Sequence, residues 1–217
     1  MNIGNKKIIL GSASPRRKEL LAGLCVDFEV DTRNDFEEAY SDDIPHERIP
    51  EVLSEGKSHG FHRELTADEI LITSDTLVLC EDHVMGKPAD RDEAYRMLRL
   101  LSGKSHKVIT AITLRDSSRT STLSDTALVH FKALTDSEIE YYVDTYKPFD
   151  KAGAYGIQEK GSLLVKRIDG DYFNVVGLPL SRFVREFKAF NKEMNDRNIF
   201  AADDYTQTTV RNLSDIK

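Results

Sequence analysis

The chain has 217 residues, of which 40% are hydrophobic and 31% are charged, and its formal net charge at pH 7 is −7. These values are typical of a folded globular protein with one domain or two small lobes. The negative charge argues against a protein that binds long nucleic acid, and no apolar run approaches the roughly 20 residues that span a bilayer. The opening residues MNIGNKK do not have the pattern of a secretory signal.

The first predicted elements are a short strand and a helix on either side of Gly11. Residues 8–10 are apolar and favour a strand, and Gly11 permits a tight turn after it. Ser14 suits the N-cap of the following helix, and Pro15 suits its first position because proline lacks the N–H that would have no partner there. A helix N-terminus presents unpaired amides and a partial positive charge, so this turn is a candidate anion site.

Arg16 and Arg17 stand in the first turn of this helix. Cations at that position oppose the helix dipole, so the helix alone does not favour them. Two interpretations are open: the arginines form a solvated surface, or they bind an anionic ligand such as a phosphate chain. The spacing G-x-x-x-x-G-K-[ST] of a P-loop does not follow Gly11.

The next part of the chain contains an acidic segment and a helix. A strand is predicted at residues 28–30, followed by an irregular acidic stretch, residues 31–43, that contains Glu37 and Glu38. This stretch is either a solvated loop or the source of a carboxylate that holds a divalent metal. Residues 50–65 favour a helix that carries Lys57.

Asp75 is the most unusual residue of the sequence. It lies within an apolar, β-branched run, residues 70–80, which is the pattern of a strand buried on both faces. Burial of an ionised carboxylate costs several kcal/mol unless the group is paired or binds a metal. The pattern therefore favours a functional role for Asp75 over a local turn at the end of the strand.

The central part of the chain alternates strands and capped helices. Lys87 follows a short hairpin and is flanked by glycine and proline. Asp90 and Thr135 each precede a glutamate by three residues, which predicts two capped helices. Strands are predicted at residues 108–114 and 123–133, between these helices.

The last part contains a loop of small residues, residues 150–158, which ends at Gln158. The dipeptide Asp169-Gly170 predicts a hairpin between strands at residues 163–168 and 172–176, and a final helix follows. Residues 191–217 are polar without a clear period and are predicted to be an extension of a domain spanning residues 1–190. Cys25 and Cys80 are predicted to be buried free thiols.

Four separated motifs resemble one protein family in order and spacing. They are GSASPRRKELL, SDT followed by GKP, DKAGAYGIQ and GDYFNVVGLPL. Together they are similar to the Maf-like nucleoside triphosphate pyrophosphatases, over residues 8–190. The resemblance implies an α/β fold: an elongated mixed β-sheet flanked by helices, with two lobes around a central cleft. It also implies a cytoplasmic enzyme, a homodimer, and a reaction that converts a nucleoside triphosphate to the monophosphate and pyrophosphate.

The resemblance further implies residue roles and a divalent cation, Mg²⁺ or Mn²⁺. The aspartate matching Asp75 is the proton acceptor of the family, although the chemistry of a carboxylate leaves a role as metal ligand equally open. The phosphate and metal site is implied to contain Ser12, Arg17, Glu37, Lys57 and Lys87. Glu38 is an alternative to Glu37, because this match depends on the alignment of a loop.

Three positions match the subgroup that acts on dTTP and UTP: Arg16, Thr76 and Gln158. A glutamine amide offers the donor and acceptor that complement O4 and N3–H of uracil and thymine, so Gln158 is predicted to recognise the base. Glu159 departs from the family pattern, where glycine is common. Two alternatives stay open: a nucleotide-binding regulator of cell division without turnover, and an enzyme for modified pyrimidine triphosphates.

Overall fold

The computed structural model describes residues 1–192, 194 and 210–212. Within this part of the chain the six α-helices are α1 (Pro15–Ala22), α2 (Ile49–His59), α3 (Arg91–Leu101), α4 (Asp136–Tyr146), α5 (Tyr172–Val176) and α6 (Leu180–Phe190). The strands are β1 (Lys7–Leu10), β2 (Phe28–Val30), β3 (Glu69–Cys80), β4 (His83–Met85), β5 (Ser105–Arg115), β6 (Thr120–Phe131), β7 (Val165–Asp169) and β8 (Val210–Asn212). No helix in these residues combines the length and apolarity needed to cross a bilayer.

The strands form one mixed sheet in the order β7-β6-β5-β3-β1-β2-β8, and β4 pairs separately with β3. β1 lies parallel to β2 and β3, and β8 lies parallel to β2. The pairs β3–β5, β5–β6 and β6–β7 are antiparallel. β3 thus belongs to both the parallel and the antiparallel part, and the predicted mixed sheet with flanking helices is confirmed.

The core lies between the sheet and the helices that cover it. β3 is buried along its length except at Glu69, Asp75 and Thr76, so the predicted strand with a polar interruption is confirmed. Phe183 and Phe187 of α6 are completely buried in the main apolar cluster. Full burial of such side chains stabilises a fold by about 1.5–3 kcal/mol each, so α6 is an integral part of the domain.

The predicted helix starts are confirmed by their caps. The Ser14 hydroxyl accepts a hydrogen bond from the Arg17 amide, and Pro15 is the first residue of α1. Asp90 caps α3 by accepting from the Glu93 amide. Thr135 forms a complete capping box at α4. These short-range contacts involve only neighbouring residues, which explains why the sequence predicts them well.

The helix predicted at residues 50–65 is shorter than expected. α2 ends at His59, and Phe61 pairs instead with Asn34 in an isolated β-bridge. The Asp35 amide also donates to the carbonyl of Gly60, 2.9 Å away. A tertiary contact with the loop after β2 therefore replaces the continuation of the helix.

The hairpin predicted at Asp169-Gly170 is wrong in its second half. β7 is present, but it pairs with β6, and the segment predicted as a strand at residues 172–176 is α5. The Asp171 carboxylate accepts a hydrogen bond from the Phe173 amide, 2.8 Å away, and so caps this short helix. Gly170 lies against Ala127 of β6 with φ of +130°, which turns the chain away from the sheet.

Two further predictions need correction. Cys25 is exposed, whereas Cys80 is buried as expected, and both are free thiols. Residues 210–212 of the polar extension form β8 at the sheet edge, although the sequence shows no strand pattern there. The rest of the prediction for the extension lies largely outside the described residues.

Candidate active site

A cleft of about 780 Å³ opens beyond the C-terminal ends of β1 and β2. β3 pairs with β1 only over residues 69–72, so residues 74–78 of β3 continue past the end of β1 and form the floor. The walls come from the β1–α1 turn, the loop after β2, α2, the segment after β4, and residues 150–157 and 175–177. Ligands of α/β proteins commonly bind outside the carboxyl ends of parallel strands, as this arrangement allows.

Arg17 lies on one wall and is held by three acceptors. Its Nη1 donates to the Ser12 hydroxyl at 3.1 Å, its Nη2 to the Thr76 hydroxyl at 2.9 Å, and its Nε to the Gly177 carbonyl at 3.0 Å. Burial lowers the pKa of the guanidinium from its ordinary value near 12.5, which still leaves it charged at neutral pH. The predicted residues Ser12, Arg17 and Thr76 are therefore brought together around one fixed cation.

Arg16 contacts a different part of the cleft lining. Its guanidinium forms an ion pair of 3.2 Å with Asp150, which also accepts from the ammonium of Lys151 at 2.8 Å. The two arginines of the first turn of α1 therefore have different partners: Arg17 donates to Ser12, Thr76 and Gly177, and Arg16 pairs with Asp150.

Asp75 and Glu38 share the ammonium of Lys57. The Nζ atom of Lys57 lies 2.7 Å from Oδ1 of Asp75 and 3.0 Å from Oε1 of Glu38. The side chains of Lys57 and Asp75 are only 19% and 14% exposed, so this pair is shielded from water. The ion pair with Lys57 of α2 thus offsets the desolvation cost of an ionised aspartate within an apolar strand.

The predicted residues Glu37, Lys87 and Gln158 occupy less central positions. Glu37 is exposed, and the neighbouring Glu38, which the sequence left as the alternative, lines the cleft. Lys87 lines the cleft but is exposed at its rim. Gln158 is exposed, and the cleft is lined by the preceding residues of its loop, through Ile157. The structure therefore does not bring Gln158 or Glu37 to the inner part of the site.

Lys151 is a cleft residue that the sequence reasoning missed. It is buried, with 8% of its surface exposed, and its ammonium lies 3.6 Å from the carboxylate of Glu159. A Cβ atom on Gly156 would lie 2.7 Å from Cε of Lys151, so the absence of a side chain at Gly156 makes room for the lysine. The sequence shows several small residues in this loop. The close approach of Lys151 explains why one of them, Gly156, has no side chain.

The two carboxylates near Lys57 fit a divalent cation that is only partly coordinated by protein. No group of three histidine, cysteine or acidic residues among the described residues is arranged to hold a metal. Asp75 and Glu38 provide two carboxylates that face one cation, the ammonium of Lys57. Mg²⁺ is commonly bound by one or two carboxylates while water and substrate phosphates complete its octahedron. These residues therefore fit a cation that arrives with a phosphorylated substrate.

The charges of the cleft match a polyphosphate with a metal ion. Five cationic side chains line it: Arg16, Arg17, Lys57, Lys87 and Lys151. The amides at the start of α1 add further donors for an anion. The carboxylates near Lys57 provide a group that can accept a proton or ligate a metal, which is what hydrolysis of a phosphoric anhydride requires.

Comparison with known proteins agrees with this arrangement. A family model described as "Maf-like protein" matches residues 7–190. A curated protein of Parabacteroides distasonis is 45% identical over 190 residues, which cover 87% of this chain and 98% of that protein. A protein of Phocaeicola vulgatus is 46% identical over 188 residues, 86% of this chain and 97% of its own. One of Bacillus velezensis is 45% identical over 186 residues, with the same coverage. All three are named dTTP/UTP pyrophosphatase.

Proposed function

The chain belongs to the Maf-like family, and from that premise we propose that it hydrolyses dTTP and UTP to the monophosphate and pyrophosphate. Names of relatives 42–46% identical to the chain support the substrate class. The single structural observation that carries the proposal is the contact of Lys57 with both Asp75 and Glu38 in a cleft whose other wall holds Arg17. A metal-dependent attack on an anhydride needs this combination of carboxylates and cations.

In the reaction, a water oxygen bonds to the α-phosphorus and the bond from that phosphorus to the bridging oxygen of the β-phosphate breaks. We assign Asp75 as the group that accepts the proton of the water, because Lys57 holds its carboxylate in place. Arg17, Lys87 and the amides of the first turn of α1 bind phosphate oxygens and stabilise the charge on the departing pyrophosphate. Glu38 and Asp75 would hold a divalent cation, Mg²⁺ or Mn²⁺, which would neutralise phosphate charge and lower the pKa of a bound water.

The specificity assignment uses the loop of residues 150–158 and the position of Arg16. Arg16, Thr76 and Gln158 keep the roles that the family resemblance implies for the dTTP and UTP subgroup. Gln158 is exposed and follows Ile157, which lines the cleft, so its contact with the base remains a prediction from the family. A cytoplasmic location and a homodimer also remain predictions from the family, and sedimentation of the purified protein tests the second.

The experiment that tests the function is release of pyrophosphate with Mg²⁺ across a panel of canonical and modified triphosphates, with Asp75→Asn as control. We expect UTP and dTTP to be the best canonical substrates and the control to lose at least about 100-fold in kcat, as is typical for loss of a general base. A silent panel with intact nucleotide binding would overturn the proposal and favour a regulator without turnover. If a modified pyrimidine triphosphate is the preferred substrate, the proposed reaction stands and the proposed substrate is replaced.

A further inference from the structure

Two glycines form a shallow notch at the C-terminal end of α2. Gly56 lies within the helix, and Gly60 is the residue that directly follows it, four positions further on. Phe36, from the loop after β2, fills this notch, with its ring against Gly56 and its Cβ against Gly60. A Cβ atom on Gly56 would lie 2.3 Å from Cζ of Phe36, and one on Gly60 would lie 2.6 Å from its Cβ. Any side chain at either glycine therefore requires Phe36 to move.

Polar contacts attach the same loop to the end of α2. The side-chain carbonyl of Asn34 accepts from the Phe36 amide at 2.8 Å, and the Asn34 amide group donates to the backbone carbonyl of Lys57. The amide of Asp35 donates to the Gly60 carbonyl at 2.9 Å. Three consecutive loop residues are thus tied to the turn of helix that carries Lys57.

This docking determines where Glu38 lies. Glu38 follows Phe36 by two residues, and its carboxylate lies 3.0 Å from the Lys57 ammonium. The side chain of Glu38 is 60% exposed, so packing around it does not fix its position. An exposed ion pair contributes little ordering by itself, because water screens it and the side chains lose entropy. The position of the Glu38 backbone, set by the loop, accounts for the contact.

We propose that Phe36, seated in the notch of Gly56 and Gly60, is a positioning residue that holds Glu38 beside Asp75 and thereby sets the affinity for the divalent cation. This inference rests on the proposed function, in which Glu38 and Asp75 hold that cation. Phe36 also packs against the small apolar cluster of Ile49, Leu53, Leu77 and Leu79, so its removal affects packing as well as position.

The glycine variants change the position of Phe36 without removing its apolar ring. Gly56→Ala keeps the ring of Phe36 in the protein and replaces glycine by a better helix former within α2. Its direct consequence is displacement of Phe36, since the added methyl group overlaps the ring. Gly23→Ala is a matched control, because Gly23 is exposed at the far end of α1 and its added Cβ would approach only backbone oxygens, at 3.3 Å and beyond.

The experiment measures Mn²⁺ binding by electron paramagnetic resonance, with α,β-methylene-UTP present, alongside thermal unfolding and UTP turnover against Mn²⁺ concentration. We expect Gly56→Ala to raise both the Mn²⁺ dissociation constant and the half-saturating concentration at least fivefold, and to lower the midpoint of unfolding less than Phe36→Ala does, because the ring is displaced and not removed. Gly23→Ala should match the wild type. Phe36→Leu, which retains an apolar side chain in the notch, should bind Mn²⁺ more tightly than Phe36→Ala.

A double variant tests whether Gly56 and Phe36 affect Mn²⁺ binding through the same contact. If they do, Gly56→Ala adds no further loss of Mn²⁺ affinity in a Phe36→Ala background. Wild-type Mn²⁺ affinity in Gly56→Ala overturns the inference. If Gly56→Ala does not fold, wild-type Mn²⁺ affinity in Phe36→Ala overturns it instead. A wild-type protein that binds Mn²⁺ but releases no pyrophosphate refutes the proposed function alone. A wild-type protein that binds no Mn²⁺ refutes both.

Discussion

The Arg17 guanidinium joins three separate parts of the cleft. It donates to Ser12 in the β1–α1 turn, to Thr76 on β3 and to the carbonyl of Gly177 after α5. Only a planar side chain with several donors can satisfy acceptors in these different directions, and a lysine ammonium has neither the shape nor the reach. The residue therefore combines a structural role with a positive charge at the predicted phosphate site.

Replacement of Arg17 tests the anion site directly. We expect Arg17→Ala to raise the KM for UTP and to lower kcat, because phosphate charge is bound in both the ground state and the transition state. Loss of hydrogen bonds to a charged group costs about 1.5–3 kcal/mol, which corresponds to about 10- to 150-fold in kcat/KM. Arg17→Lys should recover only part of the loss. Wild-type kinetics for Arg17→Ala would show that phosphate binds elsewhere.

Individual site residues were predictable to different degrees. Asp75 was predicted to be functional because a carboxylate within an apolar run is visible in the sequence itself. Arg17 was predicted to bind an anion because it lies in the first turn of a helix whose N-cap can be recognised. The choice between Glu37 and Glu38 depended on an irregular loop, where no period fixes which side chain points inward. Phe36 fixes that loop through the glycines of α2, a contact between distant segments that pattern reasoning does not reveal.

Two elements of the cleft are connected by a buried hydrogen bond. His106 on β5 lies 2.8 Å, through Nε2, from the hydroxyl of Tyr155 in the loop of residues 150–158. Phe131 on β6 packs edge-on against both rings. Burial lowers the pKa of His106 from 6.5 to about 4, with a smaller contribution from His130, and burial raises the pKa of Tyr155. The imidazole is therefore neutral in the folded protein at neutral pH.

This histidine makes stability depend on pH. The unfolded chain takes up a proton at His106 near pH 6.5, whereas the folded protein does so only near pH 4, so the free energy of unfolding falls as pH falls between these values. We expect a loss of about 2 kcal/mol between pH 7 and 5 from this residue. Urea unfolding at both pH values measures it, and His106→Gln should show a correspondingly smaller dependence. Equal dependence in the two proteins would contradict the assignment.

Helices and strands were predictable where the determining contacts are local. The caps at Ser14, Asp90 and Thr135 act over three residues, and the corresponding helices begin as expected. The second strand of the Asp169-Gly170 hairpin failed for the opposite reason. Its apolar residues suit a strand equally well, but the cap from Asp171 and the approach of Gly170 to β6 direct the chain into α5.

At the scale of the whole molecule, one strand belongs to both parts of the sheet. β3 pairs with β1 through residues 69–72 and with β5 through residues 71–79, so the two ladders overlap at residues 71 and 72. The mixed character of the sheet was predictable only through the family resemblance, because strand direction depends on pairings between segments far apart in sequence. The cleft floor, including Asp75, is part of this shared strand.

The sharing of β3 has a consequence for how the enzyme responds to its substrate. A hinge between the two parts would have to break backbone pairs of β3, so nucleotide capture must rely on side chains and on the loops at the rim. In amide hydrogen–deuterium exchange, residues 71–79 should exchange only through global unfolding. Added α,β-methylene-UTP should slow exchange most at residues 31–45 and 150–158. Local opening of β3 that nucleotide suppresses would instead reveal motion in the floor itself. The expected pattern describes a stiff floor, which keeps Asp75 and Thr76 in a fixed register, with edges that adapt to the nucleotide.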